Sequence, residues 1–146
     1  MNLNHFAAIQ GELPKTVGLP WEYFAIRGIH LDCRGPLTIH PESNWGLFVA
    51  VLTRSHNISG GPGALGETIE RGVVVDRGAW IASKVVLSGC HIGEGSIVAA
   101  GAVVNGQNVA PGVIVAGNPA RVIARWSEGR WVYLPENQSG FARQLA

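Results

Sequence analysis

Charge is scarce in this sequence: only 14% of residues are Asp, Glu, Lys or Arg, and the net charge is +1. A chain so nearly neutral has no basic surplus with which to hold nucleic acid or an anionic membrane surface. Long apolar runs are missing too. The longest, residues 47–52, has six residues, far short of the ~20 that a membrane-spanning helix needs. Cysteine is reduced to Cys33 and Cys90. Two are too few for a disulfide framework, and they read as small core thiols in a reducing cytoplasm. Residues 1–5 show no basic stretch leading into an apolar run, so no secretory signal is expected. Disorder is disfavoured, because 47% of the chain is hydrophobic and 20 residues are glycine. At 146 residues the chain is expected to form one domain with a substantial core.

What is present is a rhythm of six. Ile69, Val75 and Ile81 are six apart, and so are Ile92, Val98 and Val104. Four residues after most of these comes something small or short: Val73, Ala79, Val85, Ser96 and Ala102. A period of six is neither the 3.6 of a helix nor the simple 2 of a strand. It predicts an all-β stack of coils, each coil built from three short strand-and-turn units. The aliphatic position fills the interior, contributing roughly 1.5–3 kcal/mol per buried side chain. No coil can bury its face alone, so stacking supplies the stability. One step is short: Leu87 lies six after Ile81 but five before Ile92. This predicts a tightened corner at Ser88-Gly89, where glycine gives the backbone its freedom.

Run backwards, the register takes in Val51, Trp45, Ile39 and Cys33. Residues 1–24 show no repeat. Gly11, Pro14, Gly18 and Pro20 break up any helix there, and Trp21, Tyr23 and Phe24 are expected to cap the open end of the stack. Residues 57–68, rich in glycine, interrupt the rhythm as an inserted loop, and loops leaving a rigid scaffold are where sites are built. The expected organisation is a cap over 1–28, a repeat domain over 29–115, and an exit and tail over 116–146. The tail, with Trp126, Trp131, Tyr133 and Phe141, is expected to pack on the stack or on a neighbouring subunit.

Three segments carry a resemblance. Leu52-Thr53-Arg54-Ser55-His56-Asn57, Ala79-Trp80-Ile81-Ala82-Ser83, and Val98-Ala99-Ala100-Gly101-Ala102-Val103-Val104 followed by Ala116-Gly117-Asn118-Pro119-Ala120-Arg121-Val122-Ile123 occur in this order. Together they resemble the hexapeptide-repeat acetyltransferases, in the branch of galactoside, maltose and polysaccharide O-acetyltransferases. The resemblance covers roughly residues 30–125. It implies a left-handed parallel β-helix, a homotrimer, and acetyl-CoA as co-substrate in clefts between subunits. It also implies that His56 is the general base, in a segment similar to the family's active-site histidine segment.

Acetyl transfer to a hydroxyl needs a base for the hydroxyl proton, and imidazole is the side chain that changes protonation near neutral pH. The resemblance further implies that Trp80 walls the thioester slot and that the backbone at Ser83 and Ala100 meets the pantetheine arm. Arg121, helped by Arg125, would meet a CoA phosphate. Many relatives carry Thr-Lys after the last coil, with the lysine near the nucleotide; here the matching pair is Asn105-Gly106. An Asp follows the histidine in many relatives of the polysaccharide branch; here it is Asn57, which can orient the imidazole without stabilising its charge, and a backbone carbonyl is the alternative support. Asp32, Arg34, Asn44, Trp45 and Asn57 are the candidates for a sugar acceptor, because polar groups and an aromatic face suit a carbohydrate. His30 and Cys33 supply only two of the three or four ligands a metal site needs, so no metal is expected. His91, beside Ile92, is expected to be solvated on a coil face. Two other readings remain: N-acetyl transfer to a nucleotide-linked amino sugar, and a non-catalytic β-helix scaffold.

Overall fold

The computed structural model describes residues 9–137; Phe141 of the expected tail and His5 lie outside them. Its strands are short because each is one side of a coil. In chain order they are β1 (Ile9–Gln10), β2 (His30–Asp32), β3 (Leu37–Ile39), β4 (Asn44–Trp45), β5 (Ala50–Leu52), β6 (Arg54–His56), β7 (Thr68–Glu70) and β8 (Val73–Val75). There follow β9 (Trp80–Ile81), β10 (Val86–Ser88), β11 (Cys90–Ile92), β12 (Ile97–Val98), β13 (Val103–Asn105), β14 (Val113–Ala116), β15 (Arg121–Ser127) and β16 (Arg130–Tyr133). One short helix, α1 (Trp21–Ala25), precedes β2.

Every third coil strand stacks in parallel on its predecessor, giving three faces. The first face runs β1-β2-β5-β10-β13, the second β3-β8-β11, and the third β4-β9-β12-β14. Isolated bridges from Val17 to Ile39 and from Ile92 to Val109 lengthen the second face at both ends. The register places like on like: Leu31 beside Val51, Val51 beside Leu87, and Leu87 beside Val104. Ile39, Val75 and Ile92 form the second inward column, and Trp45, Ile81 and Val98 the third. All are buried, as are the small residues that precede them by two, Ser43, Ala79, Ser96 and Ala102. Among the described residues no helix is long and apolar enough to cross a membrane.

The rhythm of six holds at two corners of the triangle and fails at the third. From second face to third, and from third to first, successive inward residues are six apart: Ile39 to Trp45 to Val51, Val75 to Ile81 to Leu87, Ile92 to Val98 to Val104. From first face to second, the steps are eight (Leu31 to Ile39), 24 (Val51 to Val75) and five (Leu87 to Ile92, Val104 to Val109). The short corner at Ser88-Gly89 is therefore one of two. Gly89 and Gly106 turn it, with φ of 56° and 70°, a region open to glycine at no steric cost.

The 24-residue step contains an antiparallel ribbon. β6 leaves the coil after Thr53 and pairs with β7, matching Arg54 to Glu70 and His56 to Thr68. Two expectations change here. Ile69 does not point inward; it lies in the ribbon and is 43% exposed. The excursion is also longer than residues 57–68, so His56 stands within it and not on a coil side. Cys33 likewise is not an inward residue, because the eight-residue corner moves the inward position to Leu31; Cys33 is half-buried.

The N-terminal stretch adds a rudimentary coil to the cap. β1 pairs with β2, and Val17 bridges to Ile39. Pro20 precedes α1, whose Phe24 is fully buried and meets Trp45 edge-on at 5.7 Å. Trp21 is partly exposed. At the other end β15 and β16 continue the third face as antiparallel strands, and Trp126 packs edge-on against Trp131 at 5.3 Å.

Thr53, fully buried, closes the corner from which the ribbon springs. Its Oγ1 donates to the Asp32 carbonyl at 2.7 Å and accepts from the Gly35 N–H at 2.9 Å. Thr53→Val keeps the shape and strands both backbone groups. It is expected to destabilise the fold by about 1–3 kcal/mol, read as a lower urea midpoint. Leu87→Ala, in the central coil, is expected to cost about 2–5 kcal/mol through the cavity it leaves, by the same measurement. Indifference to both changes would contradict this packing.

Candidate active site

The ribbon carries His56 away from the stack and fixes it locally. Its Nδ1 lies 3.0 Å from the Gly66 carbonyl oxygen. A carbonyl only accepts, so Nδ1 carries the proton and the Nε2 lone pair is left for another partner. The ring is exposed. The backbone carbonyl takes the orienting part that an acidic neighbour could have played.

Asn57 is committed elsewhere. Its Oδ1 accepts from the Ser59 N–H at 2.9 Å, and its Nδ2 donates to Glu67 at 3.0 Å. The Asn57 and Gly66 backbones also bond across the ribbon at 2.7 Å. Asn57 therefore shapes the loop that presents Gly66 to His56, and its polar atoms are engaged within that loop.

Near the foot of the ribbon, Arg54 donates to the Arg34 carbonyl at 2.9 Å. Asp32 is almost wholly buried and receives Arg34 through both carboxylate oxygens, at 2.7 and 3.1 Å. The Arg34 hydrogen bonds hold the Asp32 carboxyl below the usual carboxylate range, against the opposing effect of burial. Asp32 is thus occupied in holding Arg34, whose guanidinium is half-exposed beside the ribbon.

Trp45 is withdrawn from the acceptor set. It points into the stack, 6% exposed, with its indole N–H donating to Ser43 Oγ at 2.8 Å. A tryptophan so placed fills the wide first coil under Phe24 and offers no face to a sugar. Its neighbour Asn44 does face outward, beside Trp80, in a shallow pocket with Gly78, Gly95 and Ile97. Trp80 is 49% exposed.

The residues expected to hold the cofactor fall on different edges of the prism. Ser83 and Ala100 lie on the corner from third face to first, where the Gly101 N–H bonds to the Ser83 carbonyl at 3.0 Å. Ser83 Oγ also accepts from the Leu47 N–H at 2.9 Å. Asn105 and Gly106 lie on the corner from first face to second. Arg121 and Arg125 are exposed on β15; Arg121 donates to the Ala120 carbonyl at 3.0 Å.

Two features escaped the sequence reading. Arg71, at the second-face end of the ribbon, reaches across two coils and donates to Asn105 Oδ1 at 2.7 Å. His91 is not simply solvated: its Nε2 lies 2.7 Å from Asp76 Oδ2. Both link residues on different coils, so neither leaves a local signal in the sequence. Cys90 is buried and its thiol is pushed up to about 12 by that burial, so it is a packing residue and no nucleophile at neutral pH. Among the described residues, no three His, Cys, Asp or Glu converge as metal ligands do.

No protein-family model and no curated protein sequence matches the chain. Solved structures do. A maltose O-acetyltransferase from Clostridium difficile 630 aligns at 25% identity with a TM-score of 0.62, over 69% of this chain and 54% of its own. A galactoside acetyltransferase in complex with coenzyme A aligns at 23% identity with a TM-score of 0.57, over 73% and 57%. A variant of AntD, an N-acyltransferase from Bacillus cereus, in complex with dTDP-4-amino-4,6-dideoxyglucose and coenzyme A, aligns at 19% identity with a TM-score of 0.60, over 69% and 58%. The chain spans little more than half the length of each of these proteins. The stacked coils and parallel sheets of this chain are those of a left-handed parallel β-helix, the fold it shares with these acetyltransferases.

Proposed function

We propose that the chain is an O-acetyltransferase that moves acetyl from acetyl-CoA to a hydroxyl of a sugar or polysaccharide. The observation that carries the reading is the tethered imidazole. His56 Nδ1 at the Gly66 carbonyl leaves Nε2 as a free proton acceptor on an exposed ribbon. The acceptor hydroxyl gives its proton to Nε2 as its oxygen attacks the thioester carbonyl. The tetrahedral intermediate then collapses, the C–S bond breaks, and the imidazolium returns the proton to the departing thiolate. The likeness to a maltose O-acetyltransferase supports a sugar hydroxyl as the acceptor.

Trp80, Ser83 and Ala100 line the thioester arm, with Asn105, Gly106, Arg121 and Arg125 toward the nucleotide. Ser83 and Asn105 stand on different edges of one prism. Self-association as a homotrimer would bring two such edges together, with the cofactor in the seam. Arg34 beside the ribbon, paired with Asp32, and Asn44 beside Trp80 are the remaining acceptor contacts. The free thiols Cys33 and Cys90 support a cytoplasmic location. Transfer to an amine of a nucleotide-linked amino sugar is the second reading, favoured by the shared fold of AntD.

The test is thiol release from acetyl-CoA against a panel of sugars and nucleotide-linked amino sugars. His56→Ala is expected to lower kcat by about 10²–10⁴ while coenzyme A binding, read by calorimetry, holds. Sugar-dependent release that survives unchanged in the variant would remove His56 as the base. Release only with amino sugars would establish the second reading, and no coenzyme A binding by the parent protein would leave a scaffold.

A further inference from the structure

Arg71 stands outside the acetyl-transfer chemistry proposed for His56. It follows the ribbon and is half-buried. Its guanidinium passes close to Gly89 and Gly106 on the corner from first face to second. A Cβ on Gly89 would stand 2.7 Å from its Nε, and one on Gly106 would stand 3.0 Å from Nη2. Two glycines, on successive coils, turn the corner with positive φ and leave room for this side chain over them. A side chain at 106 would have its Cβ 3.0 Å from the same guanidinium, which would then have to shift.

The ion pairs among the described residues join Arg34 to Asp32, Arg77 to Glu42 and His91 to Asp76; none includes Arg71. Of its five N–H groups, one has a side-chain acceptor there, Asn105 Oδ1. Asn105 thus orients the fork without neutralising it. The guanidinium lines an open groove of about 530 Å³ with Gly72, Gly89, Gly106, Asn108 and His91. Glu70 is the one carboxylate on that lining, and it stands across the ribbon from Arg54.

We propose that Arg71 binds a phosphate group of the nucleotide end of coenzyme A, supplying from the second coil the cation that Gly106 does not carry. This rests on the acetyl-CoA reading above. A planar fork, held by one neutral acceptor and open on its remaining donors, matches a phosphate bidentately. It lies on the same corner as Asn105 and Gly106, so the nucleotide site keeps its place while its charge arrives through a different residue.

The test compares coenzyme A, adenosine 3′,5′-bisphosphate and pantetheine by calorimetry in the parent, Arg71→Gln and Arg71→Lys. Gln keeps a donor for Asn105 and loses the charge. Arg71→Gln is expected to weaken coenzyme A and the bisphosphate about 10–100-fold, the loss of one or two charge-assisted hydrogen bonds. Pantetheine binding and the thermal midpoint hold, and Arg71→Lys recovers part of the affinity. In turnover, KM for acetyl-CoA rises and kcat holds. Parental affinity of Arg71→Gln for coenzyme A overturns the proposal and leaves acetyl transfer intact. An equal loss for all three ligands, with a lower melting midpoint, also overturns it, because Arg71 is then a strap between coils. Weakened bisphosphate binding in a protein without acetyl transfer supports the phosphate site and rejects the transferase reading.

Discussion

Inward side chains in this stack must lie directly above their counterparts in the previous coil. Leu31, Val51, Leu87 and Val104 form such a column, and the parallel register that aligns them also aligns every residue around the coil. Shifting one strand by a single residue would turn its aliphatic side chain outward. Insertions therefore have to be absorbed between strands, at corners. Two corners keep to their step of six, which leaves one corner free to vary.

That free corner carries the chain's irregular features. The step from first face to second accommodates the Asp32–Arg34 pair in the first coil, the ribbon with His56 in the second, and two contracted glycine turns beneath Arg71 in the next two. Thr53 anchors the ribbon by bonding to backbone on both sides of its foot. The ribbon in turn needs Asn57 and Gly66 to hold the imidazole, so each part of the site refers back to the same corner. The opposite arrangement holds at Ser83 and Ala100, where the corner keeps its step and the Gly101 N–H bonds to the Ser83 carbonyl of the coil before.

Most of the stack was legible in the sequence, because burial imposes the same residue type at the same spacing. The failures have specific causes. Val51 and Val75 are 24 residues apart, a multiple of six, so the phase survives the ribbon and Ile69 falls on the register although it is exposed. Cys33 falls on it as well, because the eight-residue first corner cannot be seen by counting backwards from Ile39. Trp45 fitted both a core position and an aromatic platform, and its hydrogen bond to Ser43 decides for the core. The Gly66 tether of His56 was foreseen only as a backbone carbonyl. Arg71 was missed because its partner is 34 residues away and its path crosses two glycines that read as turn residues.

The central claim is that a rigid stack carries a cofactor seam on its edges, with the histidine ribbon beside it. Amide hydrogen exchange with and without coenzyme A reads this directly, since local openings at loops and corners exchange faster than core strands. The account predicts slower exchange on binding over residues 54–71 and at the corners 82–84, 99–101 and 105–107, with the inward strands unchanged. Protection confined to other surfaces, with the ribbon and these corners unaffected, would contradict it.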